Sequence, residues 1–406
     1  MINAAILGFG VVGAGTAEVL SMNSDKITGV LGEELRVKKI LDIRDFPDSP
    51  FADLVTHDAD EVFEDPEISI VVETIGGARI AYEYTKRALS KGKSVVTSNK
   101  ELVSTHGVEL MSIAEANGCC YLYEAAVGGG IPIIRPLHRC LAANRIERIA
   151  GIVNGTTNYI LTNMRTAGIS YDEAIKQAQS KGYAEQNPAA DVDGIDAQRK
   201  LSIMSSICLE GLYVAPSEIH TTGITAITPE DVEFASEAGC AIKLLAIFEN
   251  PEDGKPSAFV APHMVRKTAL LASVEDVFNG IVVVGNALGE AMFYGKGAGK
   301  LPTASAVAGD VLEVAKAHGK DTGFKNWHAS GSEGRVTAEY GSIVTKAVVR
   351  TAGGRIDDLK KVFDKYDVEV AVDNNKYSAV FVRGIDHDSL IRLSEASGSV
   401  WMNMYE

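Results

Sequence analysis

This 406-residue chain has no apolar run of the ~18 residues or more that a membrane-crossing helix needs, so no transmembrane span is expected. It has little basic charge. Lys and Arg number 39 against 54 Asp and Glu, for a net charge of −15, and they form no cluster. That balance excludes nucleic acid and anionic membrane surfaces as partners. Cysteine is scarce and odd in number at five, with no C-x-x-C and no H-E-x-x-H. Those two zinc-site patterns are therefore excluded. The thiols, including the neighbours Cys119 and Cys120, read as reduced and mostly buried in a cytoplasmic protein. The first residues run straight into a strand with no charged leader region, so no signal peptide is expected. Apolar residues make up 46%, ample for a core, and the length suits two or three domains.

What is present begins at residue 4. Ala4 to Leu7 is an apolar strand that runs into Gly8-Phe9-Gly10-Val11-Val12-Gly13 and then a helical stretch from Ala14 to Leu20. This is G-x-G-x-x-G between strand and helix. The glycines permit a tight turn and a close approach to a pyrophosphate, and the helix start offers unpaired N–H groups to its charge. A dinucleotide is expected here. The next strand ends in Leu41-Asp42-Ile43-Arg44. An acid at this end binds a ribose 2′-hydroxyl and favours NAD, whereas an arginine holds the 2′-phosphate of NADP. Asp42 and Arg44 are both candidates, or merely solvated strand-end charges. The reading leans to NADP through Arg44.

Strands at Ala4–Leu7, Val37–Ile43, Ser69–Glu73, Ser94–Thr97 and Cys120–Glu124 alternate with helices such as Ala81–Lys91 and Gly107–Asn117, the pattern of a Rossmann-like parallel sheet over 1–130. Residues 131–318 read as a central α+β domain, with strands at Ile146–Val153 and Ala241–Phe248. Part of 300–318 is expected to return to the first domain. A polar linker spans 319–342, opening at Gly319-Lys-Asp-Thr-Gly323. The last segment, 343–406, reads strand, helix, a hairpin around Asp373-Asn-Asn, helix, strand: the βαββαβ order of a ferredoxin-like module.

The richest stretch is Gly182-Tyr-Ala-Glu185-Gln-Asn-Pro188-Ala-Ala-Asp191-Val-Asp193-Gly194-Ile-Asp196-Ala-Gln-Arg-Lys200. Its first half reads as a loop and its second as the start of a helix from Ile195 to Leu209. Asp196 and Lys200 are then one turn apart on one face. On a surface helix that is an ordinary ion pair. Here the following Leu201-Ser-Ile203-Met204 is apolar, so the helix is expected to be buried, and a lysine held among carboxylates can grip an amino acid and move a proton. Three other segments carry candidates. Lys100 follows the end of a sheet strand, where ligands of such folds sit. Glu124 precedes the glycine-rich Val127-Gly128-Gly129-Gly130-Ile131, and a carboxylate with several carbonyls suits a hard cation. Asn154 and Thr157, in Val153-Asn154-Gly155-Thr-Thr157-Asn158, could line a pocket or merely cap a helix.

Taken in order, GFGVVG at 8–13, SNKELV at 98–103, EAAVGGGIP at 124–132, GIVNGTTNYIL at 151–161, GYAE and PAADVDGIDAQRKL within 182–201, and YGKGAGKLPTASAV at 294–307 give the chain a resemblance to homoserine dehydrogenases over 1 to about 318. The resemblance implies reversible NAD(P)-dependent reduction of L-aspartate 4-semialdehyde to L-homoserine, in threonine, methionine and isoleucine biosynthesis. It implies that Lys200 gives a proton to the aldehyde oxygen and that Lys100 is a second active-site lysine. Glu185, Asp191 and Asp196 would bind the amino group and hydroxyl of homoserine. Thr74, Ser98, Gly182 and Gly297 would be further nucleotide contacts. Glu124 with the carbonyls of Val127, Gly129 and Ile131 would be a sodium or potassium site. A homodimer or homotetramer is implied too, with 131–318 as the catalytic and dimerisation domain. The tail resembles an ACT domain, which raises a threonine effector, although its first turn, Thr351-Ala-Gly353-Gly354-Arg355, departs from the usual ligand-loop pattern; Asn187 also stands where the family usually has Asp. The rival reading is another Rossmann-fold amino-acid or aldehyde dehydrogenase. A thioester mechanism would need a placed cysteine, and Cys140 falls in an expected helix, Leu137–Ala143.

Overall fold

A computed structural model describes residues 1–317, 324, 326–329 and 334–406. The start of the expected linker, 319–323, lies outside them. The chain forms two compact units, Met1–Asn144 with Ser202–Pro216 and Gly295–Ser332, and Arg145–Leu201 with Ser217–Tyr294 and Glu333–Glu406. Among the described residues no helix is long and apolar enough to cross a membrane.

The first unit is built on six strands: β1 (Ile2–Leu7), β2 (Leu35–Leu41), β3 (Val55–Thr56), β4 (Ile68–Glu73), β5 (Ser94–Thr97) and β6 (Tyr121–Leu122). They pair in parallel in the order β3-β2-β1-β4-β5-β6. That order, reversing beside β1, is the dinucleotide-binding arrangement, with its ligand crevice at the strands' carboxyl ends. β1, β4 and β5 are buried nearly throughout, as continuous apolar runs in a sheet covered on both faces must be. The helix Lys300–Lys316 adds Val307, Val311 and Val314 to the core formed by Ile6, Ile70, Val72 and Val96.

The second unit carries β7 (Ile146–Ile152), β8 (His220–Thr221), β9 (Cys240–Glu249), β10 (Ser257–Arg266), β11 (Phe278–Gly285), β12 (Gly289–Lys296), β13 (Val344–Ala352), β14 (Asp367–Asp373), β15 (Tyr377–Asp386) and β16 (Val400–Tyr405). The tail keeps the expected βαββαβ order, and its strands lie as β16-β13-β15-β14 around a core of Val349, Leu359, Phe363, Val380 and Leu390. Yet its sheet does not end there. β16 pairs in parallel with β10, His263 opposite Asn403 and Val265 opposite Tyr405, so one ten-stranded sheet runs from β12 through to β14.

Local differences have local causes. The helix expected over Leu137–Ala143 is Ile134–His138, leaving Cys140 exposed beyond its end. The stretch read as loop before Asp193 contains a short helix, Ala189–Val192.

Candidate functional site

The nucleotide turn is a cradle with no room for side chains on one wall and none needed on the other. Gly8 has φ +84°, and a Cβ on Gly13 would lie 2.0 Å from the Gly8 carbonyl oxygen, whereas one on Gly10 would meet nothing within 4 Å. Gly10 caps the helix Val11–Met22 without a side-chain bond, so its first N–H groups face outward for a phosphate. Val11 is exposed and Phe9 is buried, its ring edge-on to Phe46. These residues fit a dinucleotide.

The strand-end acid and arginine are bound to each other. One oxygen of Asp42 accepts the Phe9 N–H at 2.7 Å, and the Arg44 guanidinium closes on both oxygens at 3.0 and 3.1 Å. Burial alone would raise this carboxyl, but the bonds from Arg44 and Phe9 outweigh it and hold it at about 2. Asp42 is thus engaged inside the protein, while Arg44 remains largely exposed, over the Phe46 ring.

Around Lys200 the sequence candidates converge. Lys200 is 8% exposed; its Nζ donates to Asp196 Oδ2 at 2.7 Å and to the Val153 carbonyl at 2.6 Å. Asn154 joins the group: its Nδ2 donates to Asp191 at 2.8 Å and to Asp196 at 2.9 Å, and its Oδ1 caps the helix Gly155–Ala167 at Thr157. One side chain thus caps the helix and bridges the two carboxylates. Glu185 is not drawn into this cluster. It sits in the exposed loop, where its carbonyl accepts Gln179 Nε2. Gly182, with φ +73°, turns the chain at the start of that loop. In the first unit, Lys100 opens the helix Lys100–Ala116, capped by Asn99. Ser98 precedes it at the end of β5, and Thr74 Oγ1 donates to the Gly8 carbonyl at 2.7 Å. A Cβ on Gly129 would lie 2.3 Å from the Gly297 carbonyl oxygen, so those two glycine loops abut.

The Glu124 carboxylate, expected among cation ligands, is engaged by the backbone. Both oxygens of Glu124 are taken by backbone N–H groups, of Ile133 and Ile134 at 2.7 and 2.9 Å and of Arg135 at 2.7 Å, with Arg135 Nε 3.5 Å away. The carboxylate anchors the start of the helix Ile134–His138. Asp310, which accepts the Glu124 N–H and pairs with Arg135 at 2.8 Å, completes this buried network and was not foreseen.

A thioester enzyme is not what these thiols suit. Burial pushes Cys119 up to about 11, and raises Cys208 and Cys240 as well.

Two family profiles match the chain: homoserine dehydrogenase, NAD binding domain, over residues 8–124, and homoserine dehydrogenase over 132–312. The chain belongs to the homoserine dehydrogenase family. The homoserine dehydrogenase of Corynebacterium glutamicum is 43% identical over 323 residues, covering 78% of this chain and 72% of the relative. That of Lactococcus lactis is 40% identical, covering 78% and 74%. A crystal structure of a homoserine dehydrogenase from Thiobacillus denitrificans superposes with a TM-score of 0.88 at 34% identity, covering 100% of this chain and 98% of that one. A hyperthermophilic archaeal homoserine dehydrogenase solved in complex with NADPH gives 0.65 at 31% identity, covering 77% and 97%. The chain is therefore an NAD(P)-dependent oxidoreductase that interconverts L-aspartate 4-semialdehyde and L-homoserine.

Proposed function

We propose that this homoserine dehydrogenase activity is carried by Lys200 as the proton donor and acceptor at the substrate oxygen, with NADP as the preferred nucleotide. The observation that supports it best is the buried Lys200 ammonium, held between Asp196 and the Val153 carbonyl. Bound nicotinamide supplies or accepts the hydride at C4. When the aldehyde is reduced, negative charge grows on its oxygen, and an ammonium fixed in a water-poor site stabilises that charge and donates the proton. In the reverse direction the amine form takes the proton of the hydroxyl. Asp196 and Val153 orient Nζ, and Asn154 holds Asp191 and Asp196 side by side as acceptors for the substrate's amino group and hydroxyl. Glu185, in its exposed loop, is a further contact of the substrate's amino group, and Lys100 serves beside the nicotinamide. Thr74, Ser98, Gly182 and Gly297 contact the nucleotide. The NADP preference rests on Arg44 being exposed while Asp42 is engaged.

The enzyme is cytoplasmic and works as a homodimer or homotetramer. Threonine acting at the tail is the effector reading, and it rests on the βαββαβ order alone. Replacing Lys200 by Ala tests the central assignment. Turnover should fall roughly 100- to 10,000-fold, with nucleotide affinity, read by NADPH fluorescence, nearly unchanged. An equal loss of both would show that Lys200 serves binding rather than proton transfer.

A further inference from the structure

One buried acid has no part in the chemistry above. Glu73 ends β4, at the carboxyl edge where ligands of this sheet type bind, and is 0% exposed. Its Oε1 accepts the Ile75 N–H at 2.6 Å, and its Oε2 accepts the Thr97 hydroxyl at 2.5 Å. Thr97 Oγ1 in turn accepts the Asn99 N–H at 2.9 Å. The Asn99 side chain closes the ring: its Nδ2 donates to the carbonyls of Gly77 at 2.7 Å and Ile75 at 3.3 Å, and its Oδ1 caps the helix Lys100–Ala116 by accepting the Leu102 N–H at 3.1 Å. The same turn, 74–77, is hooked to the phosphate cradle through Thr74 and the Gly8 carbonyl. A buried carboxylate is costly where an apolar side chain would pack freely. Its retention, between the turn after β4 and the lysine-bearing helix after β5, calls for a purpose.

We propose that Glu73 is a positioning residue: it ties turn 74–77 to the Lys100 end of its helix, so that Lys100 and the nucleotide-side turn are held as one piece. This rests on Lys100 acting in the reaction. A catalytic group misplaced by about 1 Å can cost ~100-fold in rate, and that is the scale of effect at stake. Burial raises the Glu73 carboxyl to about 7. Among the groups around it, Tyr121 on β6 is also buried, its hydroxyl without a hydrogen-bond partner, and Lys100 lies beyond Asn99. A raised folded value means that the protonated acid favours the fold below its unfolded value of 4.5, and that this contribution is lost as pH rises through about 7.

The test compares the full-length wild type with Glu73→Ala, which removes both acceptors, and Glu73→Gln. In the latter the amide oxygen can keep Ile75 while Thr97 turns to accept from the amide nitrogen. Hydrogen exchange followed by mass spectrometry should show peptides covering 74–77 and 99–103 losing protection together in Glu73→Ala and little change in Glu73→Gln. In the same preparations, kcat for L-homoserine should fall about 100-fold in Glu73→Ala and stay near the wild-type value in Glu73→Gln. The decline of stability between pH 4.5 and 7 should flatten in Glu73→Gln. Loosening of 74–77 alone would overturn the proposal, as would an unchanged kcat in Glu73→Ala. The exchange result stands even if the assigned reaction fails, because it reads the tie and not the turnover.

Discussion

At the residue scale, side chains that sequence spacing made plausible are sorted by what they touch. Asp196 and Lys200 looked like one of many helical ion pairs, and the apolar turn after them was the legible sign of burial; the 2.7 Å contact lies inside the protein. Asp42 and Arg44 looked like competitors for the ribose. They are partners, because a carboxylate beside a guanidinium and a backbone N–H is satisfied within the protein. The expected consequence is specific. Arg44→Ala should raise KM for NADP⁺ roughly 10- to 100-fold, the range for losing a charged hydrogen bond, and leave KM for NAD⁺ within ~3-fold, as read by initial rates with saturating L-homoserine. Equal effects on both nucleotides would mean that Arg44 serves the turn and not the 2′-phosphate. The partners of Glu124 were not legible in the sequence for a physical reason. An acid before a glycine-rich turn looks the same in sequence whether its oxygens meet a cation or three backbone N–H groups nine to eleven residues ahead. Asn154, Asn99 and Glu73 were equally hard to rank, since their partners lie in segments that no local pattern links.

At the element scale, the parallel strands of the first unit were readable as short apolar runs, and helices between them in part: the one expected over Gly107–Asn117 begins at Lys100, behind its Asn99 cap. The strands β10, β11 and β12 were not singled out. β10 is buried along nine of its ten residues, so it lacks the alternation that marks a half-exposed strand, and its Pro262 argues against a central strand. The tail's order was legible, but its continuity with β10 was not, because strand pairing between distant segments leaves no period. That pairing carries a prediction. A chain ended after Ser342 would lose β16 and uncover the edge of β10 at His263–Val265, in a largely apolar buried strand, which invites aggregation. The truncated protein should be insoluble, or melt at least ~10 °C below the full chain in a thermal scan. Unchanged melting would show that the tail is a dispensable appendage.

At the scale of the whole molecule, the nucleotide cradle lies in one unit and the lysine–carboxylate cluster in the other, each built by its own core. The most direct test of that account is NAD(P)H formation, followed by absorbance, with L-homoserine and with NADP⁺ or NAD⁺ side by side. The account predicts turnover with L-homoserine but not with serine or threonine, and a higher kcat/KM with NADP⁺. A folded enzyme that turned over L-homoserine with neither nucleotide would contradict it.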